Sequence, residues 1–360
     1  MPKLKYIAIL FSGILLINAC DKDNDPNVVI DETPYLLEYG GLPMPDLPAD
    51  NPLTVQGVEL GRMLFYETML SKDGSQACAD CHQQADGFSD TNRFSIGVKG
   101  LPGGRQAMPI FNMAWHSNEF FWDGRAHLLR DQSLKPIQDP LEMNETLDNV
   151  VAKLSNTKTY RDQFMRTFGS EEITPDKMSL AMEQFMMSIV SYDSKYDRYL
   201  AGTVELTESE ERGRLLFETE YNPFFPDLSG ADCVHCHGGS NFENDRYMNN
   251  GLDSDATMTD MGRENVTQNP ADRGKFKVPS LRNIAVTQPY MHDGRFQTLE
   301  EVIDHYNTGI QESSSVDPAI LNTKATGLGL TAQDKTDLIN FLKTLTDETF
   351  LNNEAYKTPF

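Results

Sequence analysis

Cys78-Ala79-Asp80-Cys81-His82 and Cys233-Val234-His235-Cys236-His237 decide how this chain folds. In each, two cysteines stand three apart and a histidine follows at once. That is the attachment signature of c-type haem: two sulfurs form thioethers with the vinyl groups, and the adjacent imidazole faces the iron. Taken singly, either motif also suits a redox dithiol or half of a zinc site. Cys20 alone is left over among the five cysteines. No further cysteines complete a zinc cage, and two copies in one chain point to two covalently bound haems c.

Working outward, each motif has the same lead-in. Gly61-Arg62-Met63-Leu64-Phe65 precedes the first and Gly213-Arg214-Leu215-Leu216-Phe217 the second. Lead-in and haem motif recur together after about 150 residues, the mark of two related units in tandem. Each unit closes on an amphipathic segment. Thr174 is a candidate N-cap with Pro175 at the first helical position, and Met178, Met182, Phe185 and Ile189 follow at helical spacing. Thr331 likewise precedes Leu338, Phe341, Leu342 and Leu345, and Thr207 with Glu210 makes a capping box between the units. Alternating strand patterns are scarce. The expected fold is mainly α, two tandem cytochrome c-like haem domains over 51–204 and 205–350. A haem fills much of such a small interior, so 39% hydrophobic residues suffices.

The N-terminal residues read as a processing segment. Lys3 and Lys5 precede an uncharged run from Ile7 to Ile17, too short to span a bilayer and suited to a secretory signal. Asn18-Ala19-Cys20 then resembles a lipobox, making 1–19 a lipoprotein signal peptide and Cys20 a lipidated anchor on the periplasmic side of a bacterial membrane. An ordinary signal peptide cut nearby, or a simple anchor helix, are the alternatives. Residues 20–50, acidic and proline-rich, read as a tether. The net charge of −23, from 54 acidic and 31 basic residues, argues against nucleic-acid partners.

Phe120-Phe-Trp122-Asp-Gly-Arg125-Ala126, Lys277-Val-Pro-Ser-Leu-Arg-Asn283 and Pro289-Tyr-Met291-His-Asp-Gly294, together with the two haem motifs, closely resemble the bacterial dihaem cytochrome c peroxidase family and its MauG-type branch. The resemblance covers nearly the whole chain beyond the signal segment. It implies hydrogen peroxide as substrate, a small cytochrome or copper protein as electron donor, and, as in many family members, a homodimer. By position it makes Trp122 the aromatic between the haems and puts Gln132, Pro136 and Glu142 in the peroxide pocket, Glu142 as proton carrier and Gln132 as orienting amide. Arg125 either pairs with a haem propionate or caps a helix. The same resemblance implies a calcium ion between the domains, held by the side chain of Gln106 and the carbonyls of Thr287 and Pro289, with glutamine where the family has asparagine.

Two departures from the family pattern matter. Where many members place a histidine sixteen residues after the first haem histidine, this chain has Val98, so the resemblance implies a first haem held by His82 alone and open to peroxide. Where the second haem usually meets methionine, this chain has Tyr306, with Met291 and His305 as rivals opposite His237. A phenolate ligand stabilises ferric iron and lowers its potential. Both departures lean toward a MauG-type oxidase that modifies a partner protein. A non-enzymatic dihaem electron carrier is the third reading, disfavoured because a carrier needs neither Glu142 nor Gln132. His116, His127 and His235 read as structural or exposed.

Overall fold

The computed structural model describes residues 28–360. The signal segment, Cys20 and the start of the tether lie outside the described residues. Among those described, the chain is mainly helical, with one two-residue antiparallel pair, Tyr247–Met248 against Phe276–Lys277. No helix among them is long and apolar enough to cross a membrane.

Two helix pairs frame the molecule, and the repeated lead-in explains both. In the first pair, Val55–Phe65 crosses Pro175–Ser188; in the second, Glu208–Glu218 crosses Ala332–Lys343. Gly61 sits where the first pair touches: a Cβ there would lie 2.0 Å from the carbonyl oxygen of Ala181 and 2.7 Å from the Cβ of Phe185. Gly213 repeats this, at 2.0 Å from the Asp337 carbonyl oxygen and 2.8 Å from the Phe341 Cβ. The phenylalanine four residues on then meets an aromatic of its partner helix, Phe65 with Phe185 at 5.4 Å and Phe217 with Phe341 at 5.2 Å. A side chain at either glycine would push the helices apart, which is why that residue recurs.

The caps form as expected. Thr174 accepts from the Lys177 amide, and Thr207 and Thr331 make capping boxes with Glu210 and Asp334. Met178, Met182, Phe185 and Ile189 are buried, as are Leu338, Phe341, Leu342 and Leu345. Each helix pair lies in its own hydrophobic cluster.

Two segments depart from the sequence expectation. Residues 31–50, assigned to the tether, lie against the first half. The Tyr35 amide donates to the Leu53 carbonyl, the Trp115 indole donates to the Pro43 carbonyl at 2.7 Å, and Leu42 is buried. Tyr35, Leu37, Leu42 and Leu47 provide apolar surface that an acidic, proline-rich reading underweights. The other departure is at the far end. Phe350 and Tyr356 belong to the first cluster, where Phe350 packs on Phe88 at 5.8 Å and on Phe111 at 5.5 Å. The tail thus crosses back over the boundary implied by two consecutive domains.

Candidate functional site

Each Cys-x-x-Cys pair opens on a single 3-10 turn, Cys78–Asp80 and Cys233–His235, which brings the following histidine round to face inward. His82 Nδ1 lies 3.0 Å from the Phe88 carbonyl oxygen and His237 Nδ1 lies 3.2 Å from that of Phe242. Both phenylalanines are buried with positive φ, 57° and 53°, a bend that turns the carbonyl back onto the ring. A ring whose Nδ1–H is donated to a carbonyl presents Nε2 as its free ligand atom. Burial lowers the basicity of both imidazoles, that of His237 to about 4, keeping them neutral and fit to ligate. Cys78, Cys81, Cys233 and Cys236 form no disulfide, which leaves both sulfurs of each motif available to haem.

Two cavities open in front of these motifs. The first, of about 460 Å³, is lined by Cys78, Cys81 and His82 and also by Trp122, Arg125, Gln132, Pro136 and Glu142. Residues far apart in sequence thus meet around one cavity. The second, of about 230 Å³, is lined by Cys233, Cys236 and His237, with Met291 and Tyr306. Gln76 Oε1 is buried on the first wall without a hydrogen-bond partner, as befits a site shaped for a group the protein atoms do not supply. Two sulfurs and a neutral, oriented imidazole on each wall fit haem c.

Gln106, Pro109, Trp122 and Lys277 line both cavities. Trp122 is fixed there, its indole N–H donating to the Gln106 carbonyl at 2.8 Å and its own carbonyl accepting from the Lys277 amide at 2.7 Å.

Glu142, like Asp139, is a half-buried carboxyl of the first cavity. Burial raises its pKa to about 7, with help from Asp139 and against Arg125. Val98 holds no ligand atom, and its amide donates to the Glu142 carbonyl at 2.9 Å. Gly97 makes that approach feasible: a Cβ there would meet the Leu141 carbonyl oxygen at 2.0 Å. Arg125 pairs with Asp123 at 3.0 Å and covers the Phe121 ring at 3.5 Å.

A second repeat, which the sequence reading did not draw, lies across the two cavities. Phe120 and Ala126 bridge around Trp122-Asp-Gly-Arg125, and Tyr290 and Phe296 bridge around His292-Asp-Gly-Arg295. Phe121 and Met291 share positive φ, 69° and 73°, as do Gly124 and Gly294. Each turn leads into a short helix, Leu129–Ser133 or Leu299–Asp304. In this register Pro136 corresponds to Tyr306, each fourteen residues beyond the turn's central Trp122 or His292. Tyr306 stands in the π-helical turn His305–Gly309, a form enriched at functional sites. Among its rivals Met291 shares the cavity wall, whereas His305 is turned away, its Nε2 lying 3.1 Å from the Asn250 carbonyl oxygen. Asn250 Nδ2 lies 3.3 Å from both the Tyr306 hydroxyl and Met291 Sδ.

Residues 55–205 match the family described as di-haem cytochrome c peroxidase. The methylamine utilization protein MauG of Methylophilus methylotrophus is 33% identical over 301 residues, 83% of this chain and 84% of that one. This chain belongs to the dihaem cytochrome c peroxidase family, in its MauG-type branch. The cytochrome c551 peroxidase of Nitrosomonas europaea is 36% identical over 265 residues, covering 73% of this chain and 76% of its own. Among solved structures, a MauG-like protein associated with microbial copper homeostasis superposes with a TM-score of 0.79 at 35% identity, over 88% of this chain and 97% of that one. As a member of this family, the chain is a haem-dependent oxidoreductase of cytochrome c peroxidase type.

Several residues of this dihaem protein escaped the sequence reading. Arg105 pairs with Asp123 at 2.7 Å and, across the two halves, with Asp260 at 2.7 Å. Asn250 and Met248 line the second cavity. His116, read as structural or exposed, is buried beside the first cavity, whereas His127 and His235 are exposed or half-exposed. Gln106, Thr287 and Pro289 share the wall of the second cavity, and the Gln106 amide N–H groups are occupied by Ser89 Oγ and the Asp90 carbonyl.

Proposed function

We propose that the first cavity reduces hydrogen peroxide to water and the second takes in the electrons. Bound at Cys78, Cys81 and His82, haem c supplies the redox chemistry that cleaves peroxide; its partner at Cys233, Cys236 and His237 supplies electron storage and transfer. The overall change consumes one peroxide, two electrons and two protons and yields two waters. The observation that carries the reading is Glu142, a carboxyl poised near neutrality in the cavity that His82 also lines. At its carboxylate oxygen it takes a proton from one peroxide oxygen and delivers it to the other, which leaves as water. Gln132 orients the peroxide, Trp122 relays electrons between the cavities, and Pro136 blocks nothing because it has no ligating atom.

Glu142→Gln tests this. Steady peroxide consumption with a reduced small cytochrome or copper protein is expected to fall about 10²–10⁴-fold. Turnover of the wild type is expected to decline as pH falls through about 7, where the carboxylate that must accept the peroxide proton becomes protonated. The same ionisation costs stability: the raised pKa favours the fold below about 4.5, and that advantage is lost as pH rises through about 7. Glu142→Gln removes both dependences. Undiminished turnover in the variant rejects the role.

Tyr306 on the second wall favours a second reading, a MauG-type oxidase that modifies a partner protein with peroxide as oxidant. Side-chain modification of a partner, with no turnover of cytochrome donors, distinguishes it. We further propose calcium at Gln106, Thr287 and Pro289, a lipid anchor at Cys20 on the periplasmic side, and a homodimer. Metal analysis after chelation, membrane release by Cys20→Ser, and light scattering of that variant test these in turn.

A further inference from the structure

On the lining of the first cavity, apart from the haem motifs, His116 meets two carboxylates from the other half. His116 Nδ1 lies 3.6 Å from Glu243 Oε2 and 3.5 Å from Asp245 Oδ1, and the three ligand atoms all lie within 4.8 Å of one another. A tetrahedral ion with bonds of about 2.0–2.2 Å holds its ligands about 3.3–3.6 Å apart. We propose that His116, Glu243 and Asp245 bind a first-row divalent transition-metal ion of the zinc type across the seam between the two halves.

The charges around the cluster are unbalanced in a way that asks for a cation. The side chains of His116 and Glu243 are only 8% and 5% exposed. Asp245 is well provided for: Oδ2 accepts from the Ser117 amide at 2.8 Å and hydroxyl at 3.1 Å, and Oδ1 pairs with Lys277 Nζ. Lys277 also donates to the Asn118 carbonyl at 2.7 Å, and it pairs with Asp245 without bonding Glu243. Glu243 Oε2 is buried and has no hydrogen-bond partner at all. A buried carboxylate with no donor is costly, and a bare oxygen directed at an imidazole nitrogen is a ready ligand. Burial raises the Glu243 pKa, while hydrogen bonds from His116 and Lys277 outweigh burial at Asp245 and keep it ionised. One imidazole with two carboxylates suits a zinc-type ion better than calcium, which prefers an all-oxygen shell. Lys277 shares Asp245 with the ion and limits its affinity.

The test uses untagged holoprotein loaded with Zn²⁺ in millimolar Ca²⁺, then dialysed. Metal analysis is expected to find one more Zn²⁺ per chain in the wild type than in Glu243→Gln or His116→Gln. The Zn²⁺ dissociation constant is expected to rise at least about tenfold in either variant. Zn²⁺ should also raise the thermal midpoint of the wild type alone. Equal Zn²⁺ content and equal midpoints in all three overturn the proposal. Should the variants fail to fold, X-ray absorption at the zinc edge of the wild type decides. A first shell at about 2.0 Å with imidazole scattering supports the site, and its absence overturns it.

Discussion

Fourteen residues beyond Trp122 stands Pro136, and fourteen beyond His292 stands Tyr306. Each residue lines a cavity that a Cys-x-x-Cys-His motif also lines. Up to that point the two halves are built alike: a glycine seating the crossed helices, a carbonyl orienting the haem histidine, an Asp-Gly-Arg turn with one residue at positive φ. At that point one half offers a ring with no lone pair to give, and the other offers a phenol. One scaffold can therefore surround two cavities alike while the residue at a single matched position differs in whether it offers a ligand atom.

The sharpest way to break the comparison is to erase it. Pro136→Met places a thioether where Tyr306 has its hydroxyl. The high-spin ferric signal of the first haem is expected to disappear from the EPR spectrum, and peroxide consumption to fall about 100-fold or more. Tyr306→Phe is the mirror experiment and should add a high-spin signal. An unchanged spectrum in both would show that the register match has no bearing on ligation.

Next in size is the scaffold itself. Gly61→Ala and Gly213→Ala each drive a methyl group into a backbone carbonyl 2.0 Å away. Each is expected to lower unfolding free energy by about 1–3 kcal/mol, and by similar amounts if the helix pairs are equivalent. Calorimetry of the two variants measures this, and a harmless substitution at either position would show that the crossings differ. The smallest effect belongs to the caps: Thr174→Ala and Thr331→Ala should each cost about 1 kcal/mol, read from denaturant midpoints. A much larger loss at one would reveal a load beyond the single bond to Lys177 or Asp334.

What the sequence disclosed follows from how local each signal is. The haem motifs, the caps of Thr174, Thr207 and Thr331, and the buried stripes through Phe185 and Phe341 depend on residues within a turn or two of each other. Glu142, Gln132 and Trp122 came from resemblance, and their shared cavity wall required coordinates. Hidden features join distant segments: Arg105 with Asp260, His116 with Glu243 and Asp245, Phe350 with Phe88. No periodicity encodes such meetings, because each partner alone looks like an ordinary surface charge or core aromatic. The equivalence of Pro136 and Tyr306 was hidden differently. The spacing is plain in the sequence, but tryptophan in one turn and histidine in the other conceal that the two turns are the same structure.

Phe350 and Tyr356 seal the core that begins at Val55, with Tyr356 donating its hydroxyl to the Val190 carbonyl and accepting from its amide. During synthesis residue 55 emerges long before residue 350, so the earlier half waits, unfinished, for the later one. The first cavity therefore reaches its final packing only once residues of the second half are in place.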